Sequence, residues 1–374
     1  MRRLLASTAA LACLLLTTAP GASGAVVHVH RRTQAPAPPP PTTVPAPPPV
    51  PKSWILVDAD TGAVLDQGNA HLPLPPASVT KILTAIIAIE QLPQGADVPV
   101  SPVAQGMPAR DMNMKAGQVW QLEDVLHALL MVSANDAAVA LAERISGTRQ
   151  NFASEMAQTA ARLGMDDAPV LHDPAGLDDE FSNEGGNLLS AHDLAVAARA
   201  ALANDEIRQI AATPIYKFHG GDGNDHRLIN EDRLLKEYPG AIGLKSGYTK
   251  KAGHSFVGAA TRDGRTMLAV VMGAPDFYRS TEGLLDKGFS VPVDGERTFE
   301  HLAPVVHGAS VAQAATAVPL QVSRAPAPRA FHVSTDDTVR VVRDGIWIAV
   351  VTLPITYLGL RVIFGRRRRR YLFR

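Results

Sequence analysis

The sequence has almost no cysteine. Cys13 is the only one in 374 residues. It falls inside an N-terminal apolar run that reads as a segment removed on secretion, and Ala10-Leu11-Ala12 before it fits a lipid-modified cysteine poorly. The mature chain then carries no thiol. That excludes thiol nucleophiles, cysteine-ligated zinc, iron–sulfur clusters and disulfides. Net charge is lacking as well, since 36 Lys and Arg balance 36 Asp and Glu. Five of the cations are the consecutive arginines 366–370, so the rest of the chain is acidic by several charges. No basic patch spans a folded region, and nucleic acid is not expected as a partner.

What is present divides the chain into segments. A basic head, Met1-Arg2-Arg3, precedes an apolar core from Leu4 to Leu16 and a small-residue stretch from Ala19 to Ala25. This pattern predicts a signal peptide over residues 1–25 and an extracytoplasmic protein. Residues 26–51 form a proline-rich linker. Its portion 33–51, in a polyproline II conformation, would reach roughly 60 Å. A stalk rich in Ala, Pro and Val is expected over 296–343. The apolar stretch 344–364 is long enough to cross a bilayer, with Pro354 and Arg361 as its blemishes. The arginine-rich tail 365–374 would hold that end in the cytoplasm. The expected topology is a catalytic domain, residues 52–295, tethered by a single C-terminal helix; a basic amphipathic helix lying on the membrane is the alternative.

Within that domain, Trp54–Asp58 and Ala63–Asp66 read as a hairpin around Asp60-Thr61-Gly62. The prolines at 73, 75 and 76 lead to Ser78 and a helix reaching Gln91 that is apolar nearly all round. Such a helix belongs inside a core. Amphipathic spacing predicts further helices over Leu122–Met131, Asp136–Ile145, Asn151–Leu163 with Gly164 as its C-cap, Ser190–Leu202 with Ser190 as its N-cap, and Asp205–Ala212. Strands follow at Ile242–Ser246, Ser255–Ala260 and Met267–Met272, the last two joined by the turn Arg262-Asp263-Gly264-Arg265. A helix over Tyr278–Phe289 closes the domain. Strands at both ends and helices between them predict an α/β (α+β) fold: one antiparallel sheet built from both ends of the domain, packed with helices and beside a separate all-helical block.

Three polar motifs stand out. Ser78-Val79-Thr80-Lys81 opens the buried helix, with Ser78 and Lys81 on one helical face. A serine beside a buried lysine is a hydroxyl nucleophile with a potential base. Ser133-Ala134-Asn135 lies in a tight junction between helices, and Lys245-Ser246-Gly247 ends a strand, with Tyr248-Thr249 continuing it. Each also has a plain explanation. Ser133 and Asn135 could cap helices, Lys245 could be a solvated edge-strand lysine with Gly247 a bulge, and Lys81 could snorkel.

In this order and on these elements, the motifs resemble the S-x-x-K, S-x-N and K-[ST]-G set of active-site serine penicillin-interacting enzymes. Spacings of 55 and 112 residues resemble the serine-type D-Ala-D-Ala carboxypeptidases, the low-molecular-mass penicillin-binding proteins, with their β-lactamase/DD-peptidase-like fold. So do Leu163-Gly164-Met165, Asp173-Pro174-Ala175-Gly176-Leu177-Asp178 and Gly243-Leu244-Lys245-Ser246-Gly247-Tyr248-Thr249. The likeness covers about residues 52–290. It departs at Ser246, where threonine is commoner, and at Ala134, where glycine is common. Arg233 is the nearest candidate for a basic residue that some relatives carry upstream of the third motif.

The resemblance implies an acyl-enzyme on Ser78, Lys81 as base, and Ser133 and Asn135 as proton relay and orienting amide. Lys245, Ser246, Gly247 and Thr249 would bind the substrate's terminal carboxylate. The substrate would be a peptidoglycan stem peptide ending in D-Ala-D-Ala, with β-lactams as covalent inhibitors and no metal or cofactor. Two alternatives remain at this stage. One is a class A-like β-lactamase, although residues 134–244 hold no E-x-x-L-N-like pattern. The other is a non-catalytic membrane-tethered β-lactam or muropeptide sensor. Carboxypeptidase and transpeptidase differ only in whether water or an amine reaches the acyl-enzyme.

Overall fold

In a computed structural model of the protein, residues 50–292 and 300–305 are described. The expected signal peptide, the linker up to residue 49, residues 293–299 and the chain beyond 305, with the expected 344–364 helix and the arginine tail, lie outside them. Among the described residues no helix is long and apolar enough to cross a membrane. Apart from residues 90–93, the described residues form one compact unit.

The chain begins with strands β1 (Ser53–Asp58) and β2 (Val64–Gly68), then a 3₁₀ turn (Ala77–Thr80) running into α1 (Lys81–Gln91). A middle section follows: β3 (Asp97–Pro99), α2 (Pro102–Gln105), β4 (Val119–Gln121), α3 (Leu122–Met131), α4 (Asn135–Ser146), α5 (Arg149–Leu163), α6 (Ala191–Ala203) and α7 (Asp205–Ala212). The last section is β5 (Ile215–His219), β6 (Asp225–Ile229), α8 (Leu234–Glu237), β7 (Ala241–Thr249), β8 (Gly253–Arg262), β9 (Arg265–Met272) and α9 (Phe277–Ser290).

Five strands form one sheet in the order β2-β1-β9-β8-β7. The first and last strands of the domain are therefore neighbours, with Trp54 opposite Val271 and Leu56 opposite Ala269 in antiparallel register. The continuous apolar run Met267–Met272 is fully buried. A strand covered on both faces has no need of polar alternation. Leu56, Phe256, Met267, Ala269 and Val271 join Tyr278 and Leu285 of α9 in one cluster. The alternate residues Ile55, Val57, Leu268 and Val270 are buried too, and α6 also lies against β1 and β9. At the β8–β9 turn, Asp263 and Gly264 both have positive φ, 51° and 78°, the geometry that pairs best with sheet twist.

The expected helices are present with ends shifted by a few residues. Gly164 ends α5 in the left-handed region, and the Ser190 side chain accepts from Asp193 N at the start of α6. Two features differ. Ser78 is not on the helix but on the 3₁₀ turn before it, with α1 beginning at Lys81. Three residues per turn still stack positions i and i+3, so the pair stays on one face. The two small sheets, β3-β4 and β5-β6, were not anticipated. Their strands are three to five residues long and half exposed, too short for periodicity. The Asp222-Gly223 turn was the available signal for the second. Residues 300–305, assigned to the stalk by composition, dock on the β1–β2 hairpin through Val64 N to Glu300 O and Leu302 N to Gly62 O.

Candidate active site

The site is assembled from four segments that meet at the end of β7. The first is the turn before α1. Ala77, directly ahead of Ser78, holds φ = 54°, a conformation that costs an L-residue about 1–2 kcal/mol. The sheet leaves little room here. A Cβ on Gly247 of β7 would stand 2.6 Å from Ser78 N. The edge strand therefore passes directly beside the Ser78 amide, and only glycine permits it.

Lys81 is completely buried. Its Nζ lies 2.9 Å from Ser78 Oγ, 2.8 Å from Asn135 Oδ1 and 2.8 Å from the Ala175 carbonyl. Two of these three neighbours can only accept. A neutral amine has two N–H groups and one lone pair. It can satisfy Asn135 and Ala175 as donor and take the Ser78 hydroxyl proton's hydrogen bond as acceptor. The electrostatics favour that state. Burial, then the nearby cation of Lys245, push the Lys81 pKa well below its ordinary value; Asp173 and Asp136 oppose this only in part.

The second segment is the α3–α4 junction. Ser133 has φ = 63° and is buried at 7 % exposure. The N-cap of α4 is Ala134, with no side-chain cap, so neither Ser133 nor Asn135 is spent on capping. Asn135 donates from Nδ2 to the Pro108 carbonyl at 2.9 Å, which turns its Oδ1 towards Lys81. Asp136 beside it accepts from the N–H groups of Met112, Met114 and Ala137 and pins the loop that carries Pro108 and Arg110.

The third segment is the loop 173–183. Asp173 is fully buried. Its Oδ1 accepts from Ala175 N and Leu177 N, and its Oδ2 from Asn183 N; Arg149 lies 3.7 Å away. Those bonds aim the Ala175 carbonyl at Lys81. A Cβ on Gly176 would sit 2.0 Å from the Ala77 carbonyl, so this loop is wedged against the 3₁₀ turn that carries Ser78.

The fourth segment is β7. Lys245 is 3 % exposed and donates to its neighbour's carbonyl, Ser246 O, at 2.8 Å. Burial, then Arg110, lower its pKa to about 7. This is not the solvated edge-strand lysine that its position allowed. Thr249 donates its hydroxyl proton to Asp178 Oδ2 at 2.6 Å and accepts from Ala252 N. The Thr249 hydroxyl thus ties the Asp178 loop to the strand end at the margin of the cleft.

A cleft of about 790 Å³ runs over these groups. Ser78, Ser133, Asn135, Ser246, Gly247 and Thr249 all line it, and Lys81 and Lys245 lie beneath its floor. Sequence reasoning missed Arg110. It lines the cleft, pairs with Glu231 at the rim and lowers the pKa of both lysines. It sits in a loop of no distinctive pattern, so nothing in the sequence marked it. Arg233 also lines the cleft, but it is paired with Glu237 and stacked over Tyr278.

The sequence model of the family described as D-alanyl-D-alanine carboxypeptidase matches residues 41–276. The chain belongs to this family. It is 37% identical over 249 residues to D-alanyl-D-alanine carboxypeptidase DacB2 of Mycobacterium tuberculosis, covering 64% of this chain and 82% of that one. It spans less of another relative, 57% of DacF from Bacillus subtilis. The crystal structure of a D-alanyl-D-alanine carboxypeptidase from Mycobacterium tuberculosis superposes with a TM-score of 0.63 at 33% identity, over 71% of this chain and 99% of that one. Penicillin-binding protein D2 from Listeria monocytogenes, solved in an ampicillin-bound form, gives 0.57 at 26% identity, over 64% and 98%. The serine-type D-Ala-D-Ala carboxypeptidase of this chain thus has the mixed α/β penicillin-binding fold, with its three motifs in one cleft.

Proposed function

We propose that this carboxypeptidase removes the terminal D-Ala of peptidoglycan stem peptides through an ester on Ser78. The observation that carries the proposal is the Lys81 amine, held 2.9 Å from Ser78 Oγ between two fixed acceptors and made weakly basic by burial. The Ser78 hydroxyl passes its proton to neutral Lys81 as Oγ attacks the penultimate D-Ala carbonyl. The ammonium so formed is still hydrogen-bonded by Asn135 and Ala175. The backbone N–H groups of Ser78 and of the β7 end hold the oxyanion, each such donor contributing about 3–4 kcal/mol. Ser133, on the cleft wall, relays the proton to the leaving D-Ala nitrogen as the C–N bond breaks. Water then cleaves the ester and restores the Ser78 hydroxyl.

Lys245 supplies the positive charge for the substrate's terminal carboxylate, with Ser246 adding a hydroxyl. Thr249 supports that subsite by fixing Asp178. A β-lactam, whose strained amide imitates the acyl-D-Ala-D-Ala end, would acylate Ser78 by the same route; the ampicillin-bound Listeria relative supports this. Two carboxylates of the loop between the second and third motifs have other partners here. Asp173 is committed to three backbone N–H groups and Asp178 to Thr249. The signal peptide and the 344–364 segment support an extracytoplasmic domain held at the membrane by its C-terminus.

Intact-protein mass spectrometry after penicillin treatment, with D-Ala release measured on a diacylated peptide ending in D-Ala-D-Ala, tests the proposal. A stable one-drug adduct and D-Ala release are expected, both lost in Ser78→Ala. Labelling that survives Ser78→Ala would refute the nucleophile, and rapid turnover of penicillin would refute the carboxypeptidase reading.

A further inference from the structure

Away from the cleft, three chain segments bring two histidines and three aspartates together. His71 lies between β2 and the nucleophile turn. Asp166 and Asp167 follow the C-cap of α5. His192 and Asp193 open α6. The backbone fixes these segments to one another: His192 N bonds Ala70 O at 3.0 Å, and Leu74 and Leu189 exchange two bonds of 2.9 Å. Ser190 Oγ donates to Asp167 Oδ2, and Asp167 N to Asp193 Oδ1.

The donor atoms converge. His71 Nδ1 is 3.0 Å from both oxygens of Asp167. His192 Nδ1 is 3.7 Å from Asp167 Oδ2, 3.7 Å from Asp193 Oδ1 and 3.8 Å from Asp166 Oδ1. Nitrogen and oxygen ligands at about 2.0–2.1 Å around a tetrahedral zinc ion stand about 3.3 Å apart. The observed separations bracket that edge length. Most of them are too long for hydrogen bonds.

A second observation is independent of the spacing. His192 Nδ1, one of the converging atoms, is buried with no hydrogen-bond partner. Buried polar atoms are rarely left so in a folded protein unless a water or ion answers them. Two imidazoles with carboxylates match the ligand preference of zinc rather than that of calcium or magnesium.

We propose that His71, Asp167 and His192, whose donor atoms all lie within 4.8 Å of one another, bind one Zn²⁺ ion that clamps the chain entering Ser78 to the start of α6. The site is structural. Its ligands take no part in the chemistry of Ser78, and the proposal stands whether or not the carboxypeptidase mechanism above is right.

The test uses the full chain purified without a polyhistidine tag, stripped with a chelator and titrated calorimetrically with Zn²⁺, with Mg²⁺ and Ca²⁺ as controls. One Zn²⁺ per chain is expected to bind with micromolar or tighter affinity and to raise Tm. His71→Ala and His192→Ala should each weaken binding by at least about tenfold and remove the Tm rise. Penicillin acylation of the metal-free variants should stay within about twofold of the parent. His71 is half exposed on a loop, so its replacement tests the site even if His192→Ala misfolds. Binding no tighter than about 100 µM, or equal affinity in both variants, would overturn the proposal.

Discussion

Lys245 is a cation held where a cation is costly, and its removal should make the protein more stable. Its pKa falls from 10.5 to about 7, first because it is buried and then because Arg110 stands nearby. At 1.36 kcal/mol per unit, that displacement corresponds to about 4–5 kcal/mol of destabilisation when the group is charged. The sign follows from linkage. Between pH 7 and 10.5 the unfolded chain holds the proton and the folded chain does not, so folding weakens as pH falls through that window. Below about pH 7 the full cost is present; near pH 10.5 it is gone. Lys245→Met keeps the aliphatic body and removes the charge. It also loses one hydrogen bond to Ser246 O, about 1 kcal/mol, and a favourable partner of Asp232, whose own pKa is raised to about 6 by burial. The net expectation is a gain of about 2–4 kcal/mol at pH 6, shrinking towards zero or below by pH 10. Urea unfolding of parent and variant at pH 6, 8 and 10 measures it. A variant less stable at pH 6, or a gain independent of pH, would refute the reasoning that Lys245 is strained by desolvation. Peptide hydrolysis should collapse in the same variant, which would mark the strain as serving carboxylate binding.

Other outcomes follow from the same geometry. For the parent enzyme, kcat/KM on peptide should fall in acid as Lys81 takes up a proton and fall above about pH 7 as Lys245 loses one; Lys245→Arg, whose guanidinium stays charged, should abolish the alkaline limb in a pH-rate profile. In Gly247→Ala, the new Cβ would meet Ser78 N at 2.6 Å, so the nucleophile must shift. Penicillin acylation, followed by stopped-flow or mass spectrometry, should slow by about a hundredfold or more. Asp173→Ala strips the acceptor from three buried N–H groups and should lower stability by about 2–4 kcal/mol in denaturant melts. Acylation should slow with it, because the Ala175 carbonyl no longer has a fixed position opposite Lys81.

The two-ended sheet was legible because its strands carry their own signals. Met267–Met272 is apolar without interruption, Asp263-Gly264 demands a tight turn, and strands flank a helical middle. The helices were legible from period and caps, as at Gly164 and Ser190. The short sheets were not, since strands of three to five half-exposed residues owe their pairing to their surroundings rather than to pattern. The sequence does not separate a helical Ser78 from one on a 3₁₀ turn, because S-x-x-K brings the two residues to one face in both. The turn is 3₁₀ where Gly176 and Gly247 pack against Ala77 and Ser78, a contact between segments that local spacing does not record.

The sequence by itself determined which groups come together at the cleft. Ser78, Lys81, Ser133, Asn135 and Lys245 were identifiable because a motif is a local arrangement of residue types, and its spacing survives translation into any fold that keeps the order. The tertiary structure decided the state and the job of each. Burial and a second lysine from a strand 164 residues away lower the Lys81 pKa. Asn135 and the Ala175 carbonyl leave its amine one lone pair for Ser78. Asp178, 71 residues before Thr249, accepts from its hydroxyl, a bond that the motif does not announce. These are effects of desolvation, charge and hydrogen-bond geometry between distant segments. They act through space, and a linear pattern contains no distances.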